Sequence, residues 1–360
     1  MSVVYRIEAE RRRGRGASSN ASGRYEAISR VEVDDGWGSL ETLARIETRV
    51  QVEEARTIIS TNQSPDISFD QSINPYRGCE HGCSYCYARP SHAFMGLSPG
   101  LDFESRLFVK PNAAELLENE LARSSYRVKV IALGTNTDPY QPIERRWEVT
   151  REILKVLART HHPVGIVTKS ALILRDLDIL APMAREGLVK VALSVTSLDR
   201  EVGRKMEPRA PTPAKRIEAI LELSKAGVPV SVMVAPIIPA INDAEIEAIL
   251  TTAREAGASE AGYVLLRLPL EIKELFREWL AAEFPDRASR VVSILRQMRG
   301  GKDYDARWFE RQKGTGPYAE HIAARFRLAL RRLGLNERRQ TVRSDLFVPP
   351  VGRGSQLRLL

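Results

Sequence analysis

Cys79, Cys83 and Cys86 fall within eight positions and are all the cysteines in a chain of 360 residues. Their spacing is C-x3-C-x2-C. Thiolates are the usual ligands of iron–sulfur clusters, and most [4Fe–4S] clusters take four of them. Three thiolates this close together can bind three irons of a cubane and leave the fourth open. An open metal position marks a catalytic site rather than a structural one. No fourth cysteine exists to close it. His81, between the first two cysteines, can close it instead. Zinc held by Cys79, Cys83, Cys86 and His81 is the alternative reading, although zinc sites more often use two separated ligand pairs. A disulfide framework is excluded by a count that is odd and small for the chain length.

The neighbours of the cysteines carry a further signal. Asn74-Pro75-Tyr76-Arg77-Gly78 precedes them, Tyr85 stands between the last two, and Tyr87-Ala88-Arg89 follows. This stretch resembles the radical S-adenosylmethionine (SAM) superfamily, and within it the spore-photoproduct-lyase-like branch, over about residues 65–285. The resemblance implies a (βα)6 partial barrel, a [4Fe–4S] cluster on Cys79, Cys83 and Cys86, and SAM chelated at the fourth iron. It also implies cleavage of SAM to a 5′-deoxyadenosyl radical, hydrogen abstraction from a substrate, and an electron donor of the flavodoxin or ferredoxin type. It places Tyr85 beside adenine and makes Tyr85 and Tyr87 candidates for hydrogen-atom transfer. Thr135, Asn136 and Thr137 fall where the family contacts the methionine amino group, and Lys169 where it contacts the carboxylate. Ser194 and Thr196 match ribose- or carboxylate-contacting positions, with Arg209 as a further carboxylate partner. Ala235-Pro236-Ile237-Ile238 and Leu265-Leu266 would pack on adenine. Spore photoproduct lyase uses a separate cysteine as hydrogen donor. This chain has none, so the thymine-dimer reaction does not carry over, nor do cysteine-bound auxiliary clusters.

The residues themselves predict the elements that must hold such a site. Ile67-Ser68-Phe69 leads into the cysteine loop. Val128–Leu133, Val164–Thr168, Val189–Val195, Val228–Val234 and Tyr263–Leu266 read as strands. Between them Ile153, Leu154 and Leu157, then Ile217, Ile220 and Leu221, then Ile246, Ile249 and Leu250 recur at helical spacing. Ile272, Leu275, Phe276, Trp279 and Leu280 do so most closely. Apolar strands alternating with amphipathic helices give a parallel sheet covered by helices. About six units predict an incomplete α/β barrel, with the active site at the C-terminal strand ends.

Composition frames the rest. Hydrophobic residues make up 43% and charged residues 28%, an ordinary globular balance. No apolar run reaches membrane-spanning length, and Met1–Arg6 lacks a signal-peptide core. A reducing cytoplasmic compartment is therefore expected. Residues 1–60 are expected to form a partly flexible N-terminal extension, with Arg11–Gly16 as a basic arm. Residues 61–285 form the core, and residues 286–360 a helical, basic C-terminal extension. That last region holds 17 Lys and Arg against 7 Asp and Glu, while the whole chain nets +8. Positive charge gathered in one part suggests a polyanionic partner such as nucleic acid. Ile322, Phe326, Leu330 and Leu333 predict a helix closed by Gly334. The C-terminal region is expected to close the open side of the barrel or to present a basic face, and residues 348–360 to form a tail. A non-catalytic metal protein that binds nucleic acid is the alternative to a radical enzyme.

Overall fold

A computed structural model describes Ile7, residues 12–26 and residues 46–351. Strands β2 (Ile59–Thr61), β3 (Gln71–Ile73), β6 (Ile131–Leu133), β7 (Val164–Thr168), β8 (Val189–Ser194), β9 (Val230–Ile237) and β10 (Glu260–Leu265) form one sheet in the order β10-β9-β8-β7-β6-β3-β2. The ladders from β3 to β10 are all parallel, and β2 adds an antiparallel edge. A small second sheet joins β1 (Arg49–Val52), β5 (Arg106–Val109) and β4 (Tyr76–Arg77). Six parallel strands with intervening helices make the expected partial barrel, and five of them fall on the predicted apolar runs.

In β7 and β8 one face is fully buried and the other mostly half-buried, with Val167 exposed. Ile73, Ile131, Leu133, Ile166, Val191, Leu193, Val232 and Val234 lie in one continuous core. The covering helices present the expected faces: Ile153, Leu154 and Leu157 on Val149–Arg159, and Ile272 through Leu280 on Ile272–Glu283. Leu221 departs from this pattern and points to solvent. The first barrel strand is Gln71–Ile73, not Ile67–Phe69. Asn62 explains the difference, because its N–H donates to Asp70 and its side chain to Phe69, folding residues 62–70 into the turn from β2 to β3. An alternating Ile-Ser-Phe sequence mimics a strand, but the Ile67 N–H donates to Ser64 and the Phe69 carbonyl accepts from Asn62 within the turn.

The N-terminal segment departs furthest from expectation. Residues 12–20 are not a flexible arm; Arg11 lies outside the described residues. Arg15, Ala17, Ser18 and Ser19 are buried. Arg15 donates from Nη1 to the Glu104 carbonyl at 2.7 Å, and from Nη2 to the Ile46 carbonyl and the Thr48 hydroxyl at 3.0 Å. Further on, Ser19 bonds Glu278 and Arg24 pairs with Glu271. The segment thus spans from the cysteine loop to the last barrel helix and covers the open side.

The C-terminal region also bridges the open side between the two sheet edges, as expected, and then continues past it. Arg311 pairs with Asp66, joining the chain beyond β10 to the turn before β3. The helix Gly316–Leu333, ended by Gly334 in the left-handed conformation as predicted, packs Phe326 on Tyr263. After it, Asn336 bonds Ser259 and both backbone groups of Ala261, Arg343 N–H bonds Gly187, and Val348 N–H bonds Thr160. Those partners lie before or at the start of β10, β8 and β7, so residues 336–348 run as a strap across the N-terminal ends of the strands. The expected tail from Val348 begins inside this strap; residues 352–360 lie outside the described residues.

Candidate metal and cofactor site

The cysteine loop leaves the C-terminal end of β3. Cys79 and Cys83 are buried and Cys86 is half-buried. The loop's backbone is satisfied from every side, as a buried loop requires. Cys79 N–H donates to Phe103, Ser84 N–H to Met206, and Glu80 N–H to the Gln141 side chain at 2.8 Å. Arg89, fully enclosed, donates from Nε to the Cys83 carbonyl at 2.9 Å and from Nη2 to Glu104 at 2.5 Å. The other side of Glu104 accepts the N–H groups of Gly16 and Ala17, each at 2.8 Å. Gly82 has φ +67, which turns the loop where a side chain would be strained. A Cβ on Gly16 would lie 1.7 Å from the Gly82 carbonyl, so the N-terminal segment touches the loop through glycine alone.

Around Cys83 the structure gathers charges that are far apart in sequence. Tyr85 donates its hydroxyl to Glu207, and Glu207 pairs with Arg216; all three are buried. Lys169 Nζ stands 5.8 Å from the Tyr85 ring centre. Burial raises Glu207, but Arg216 and Lys169 outweigh it, and its carboxyl ends below the usual range. Burial lowers Lys169, but Cys83 and Glu207 outweigh it, and the ammonium ends above its usual value. Burial also pushes the Cys83 thiol up to about 12, with Glu207 adding to it and Lys169 opposing. Cys79 is driven up by burial and then by Asp138. Buried thiols crowded together stay protonated unless a cation shares the site, and a coordinating metal deprotonates them outright.

The donor set fits an iron–sulfur cluster. A structural zinc site usually takes four ligands as two separated pairs, and this loop has one C-x2-C and no second pair. A cubane instead takes each thiolate on a separate iron. His81 is buried with Nδ1 3.4 Å from Asp138 Oδ2. Burial raises Asp138, but His81, Thr168 and the Lys169 N–H bring it down to about 2.

The remaining predicted positions are divided. Tyr87, exposed, donates its hydroxyl to the Thr135 carbonyl. Thr135 Oγ1 and the Asn136 N–H are held by Asn74 at 3.4 and 3.0 Å. Thr137 is buried and spends its hydroxyl on the Tyr76 carbonyl. Ser194 and Thr196 are buried beside Arg216, which donates to the Ser194 carbonyl and the Thr196 hydroxyl. Arg209 is engaged by Glu80 at 2.7 Å and lies with the loop rather than with Lys169. Ala235, Pro236 and Ile237 belong to β9 itself. Sequence reasoning missed Glu207, Arg216, Glu104 and Arg15. Glu207 adjoins Pro208-Arg209 at a helix end, and nothing in its local pattern marks it as buried.

Residues 73–253 match the Radical SAM superfamily, and the chain belongs to that superfamily. It is therefore an enzyme of SAM-dependent radical chemistry, with a [4Fe–4S] cluster and SAM as its cofactors. An uncharacterised protein of Mycobacterium tuberculosis is 38% identical over 233 residues, covering 64% of this chain and 68% of that one. One of Methanocaldococcus jannaschii is 31% identical, over 48% of this chain and 62% of that one. Among solved structures, spore photoproduct lyase complexed with dinucleoside spore photoproduct superposes with a TM-score of 0.55. The match covers 79% of this chain and 80% of that one at 16% identity, which is a shared fold. No helix among the described residues is long and apolar enough to cross a membrane.

Proposed function

We propose that Cys79, Cys83 and Cys86 hold the cluster and that SAM lies across the C-terminal ends of β6 to β10. The observation that carries this reading is the three-cysteine loop at the end of β3, with Tyr85, Lys169 and Glu207 gathered on Cys83. When bound, the cluster and SAM supply a 5′-deoxyadenosyl radical for hydrogen abstraction. In this reading Lys169 meets the methionine carboxylate, since a cation lifted by its neighbours stays charged. Thr135, Asn136 and Thr137 edge the amino group. Tyr85, fixed by Glu207, provides an apolar face for adenine, and Ser194 and Thr196 line the ribose side. Arg209 reaches the cofactor only by leaving Glu80. Tyr87, exposed at the mouth, is the candidate to relay a hydrogen atom.

The core at 61–285, flanked by extensions 1–60 and 286–360, is the working division of the chain. An oxygen-sensitive cluster calls for a cytoplasmic site and an electron donor of the flavodoxin or ferredoxin type. Binding of nucleic acid is a second reading, favoured by the exposed Arg327, Arg331, Arg338 and Arg339, for which no ion pair exists among the described residues.

Anaerobic reconstitution tests the central reading. Wild type should take up iron and sulfide and, with dithionite, slowly release 5′-deoxyadenosine and methionine from SAM. Cys83→Ala should lose iron, because two thiolates hold a cubane poorly. Wild-type iron content in that variant, or a loaded cluster that never yields 5′-deoxyadenosine, would refute it.

A further inference from the structure

Arg267 follows β10 by two residues, at the mouth of the barrel. Its guanidinium lies over the Tyr87 ring, 4.8 Å from the centre. Tyr87 in turn is tied to Thr135 at the end of β6 and adjoins Cys86. Arg267 is therefore beside the candidate site although it comes from the far edge of the sheet. Its Nε is buried and has no hydrogen-bond partner, and among the described residues no carboxylate pairs with its guanidinium. A guanidinium carries five donors and stays charged, so one left unsatisfied in a half-enclosed position calls for an explanation.

The surroundings sharpen the point. Arg299, almost fully enclosed, is the neighbouring cation. Its two bonds go to backbone carbonyls, to Glu310 at 2.6 Å and Leu266 at 3.0 Å, so no carboxylate neutralises it. Burial lowers Arg299, and Arg267 lowers it further, which places two like charges within reach of each other. The acids that face this pair, Asp305 and Glu310, are both engaged by Arg307 at 2.7 Å. Of the other cations near Tyr87, Arg311 is matched by Asp66 and Lys169 lies over the Tyr85 ring. Other enclosed guanidiniums are met either by carboxylates, as Arg89 by Glu104 and Arg216 by Glu207, or by carbonyls and a hydroxyl, as Arg15 and Arg299. Here the carboxylate is missing and the ring of Tyr87 closes one face of the Arg267 guanidinium.

We propose that Arg267 is a subsite for an oxyanion of the substrate, a phosphate or a carboxylate, bound through its unused donors at the mouth of the barrel. Planar guanidinium forks recognise both groups in a bidentate way, and a Lys would not substitute well. The cation–π contact with Tyr87 holds the guanidinium in place before the anion arrives. The substrate is then anchored by its charge next to Tyr87 and the cysteine loop. This inference rests on the mouth being the substrate entrance.

Calorimetric titration of the full-length apoprotein with inorganic phosphate, and separately with malonate, at ionic strength fixed by chloride, tests it. Wild type should bind one or both saturably, and the tighter probe tells phosphate from carboxylate. Arg267→Gln should weaken that binding by about tenfold or more, and Arg159→Gln, at the end of the helix Val149–Arg159, should not. No saturable binding, or binding that Arg267→Gln leaves unaltered, overturns the subsite. Phosphate binding abolished by saturating S-adenosylhomocysteine would assign Arg267 to the cofactor and overturn the substrate role. Should Arg267→Gln fail to fold, phenylglyoxal labelling of wild type replaces it. Labelling of Arg267 slowed by the bound probe supports the subsite, and labelling that neither probe slows overturns it. Release of 5′-deoxyadenosine by the reconstituted wild type examines the radical reading separately, because the titrations use no cluster.

Discussion

Glu207 is ionised although it is enclosed, because Arg216 and Lys169 outweigh the cost of burial. Its folded carboxyl lies below the ordinary value, so its contribution to stability is present at neutral pH and lost only in acid. The buried histidines act in a higher range. Burial brings His92 and His162 down to about 4, against about 6.5 in an unfolded chain. The unfolded state then binds protons that the folded state refuses. The stability from each is complete above about pH 6.5 and falls by about 1.4 kcal/mol per pH unit as the pH drops towards 4. His162 sits under the C-terminal strap, with Tyr126 at 2.7 Å and Phe347 against its ring. Urea unfolding from pH 7.5 to 5 should show wild-type stability declining below pH 6.5. His162→Gln should make the decline shallower by about one proton's worth, 1.4 kcal/mol per unit. Identical slopes would mean that His162 takes up its proton in both states.

Among the elements, the N-terminal segment matters most to the site. It contributes two N–H groups to Glu104, which holds Arg89, which holds the Cys83 carbonyl. A chain of charged hydrogen bonds in an enclosed setting fixes a loop firmly, and a break leaves charges buried without partners. Gly16→Ala puts a methyl group into the Gly82 carbonyl, and overpacking of this kind costs about 1–3 kcal/mol. Native wild type should resist trypsin after the buried Arg15, and Gly16→Ala should be cut there and should retain its cluster less well in air-free dialysis. Rapid cleavage of wild type after Arg15 would restore the reading of a free arm.

At the scale of the whole molecule, the candidate cluster site and the basic surface occupy different ends. Arg325 is paired with Glu247 and is not free for a ligand. Arg331 ends the helix Gly316–Leu333, and Arg338 and Arg339 lie in the strap at the N-terminal ends of the strands, opposite the cysteine loop. A nucleic acid held there would not place its bases at Tyr87. Four phosphate contacts would give a log–log salt slope of about −3 to −4. Changing Arg327, Arg331, Arg338 and Arg339 together to Gln should flatten that slope in an anisotropy titration of duplex DNA or RNA and leave iron content unchanged. A wild type with no salt-dependent binding would leave these arginines as solvated surface.

Much of this was legible without coordinates. The cysteine spacing carried the cofactor, because metal chemistry depends on residue type over a few positions. The apolar runs located five of the six parallel strands, because a strand with one face in the core and the other half-covered is rich in apolar residues. The helix ending at Gly334 was legible from its stripe and its glycine cap. What only the tertiary structure decided are pairings across long separations: Glu104 with residues 15–17, Glu207 with Tyr85, and Arg267 with Tyr87. A charged residue reads the same in sequence whether solvent or a buried partner meets it. Arg11–Gly16 looked like a solvated arm for that reason, and Arg15 proved to be enclosed. The partner that neutralises a buried charge is chosen by the fold, and that Arg267 has none among the described residues became visible only once the charges around it had been matched.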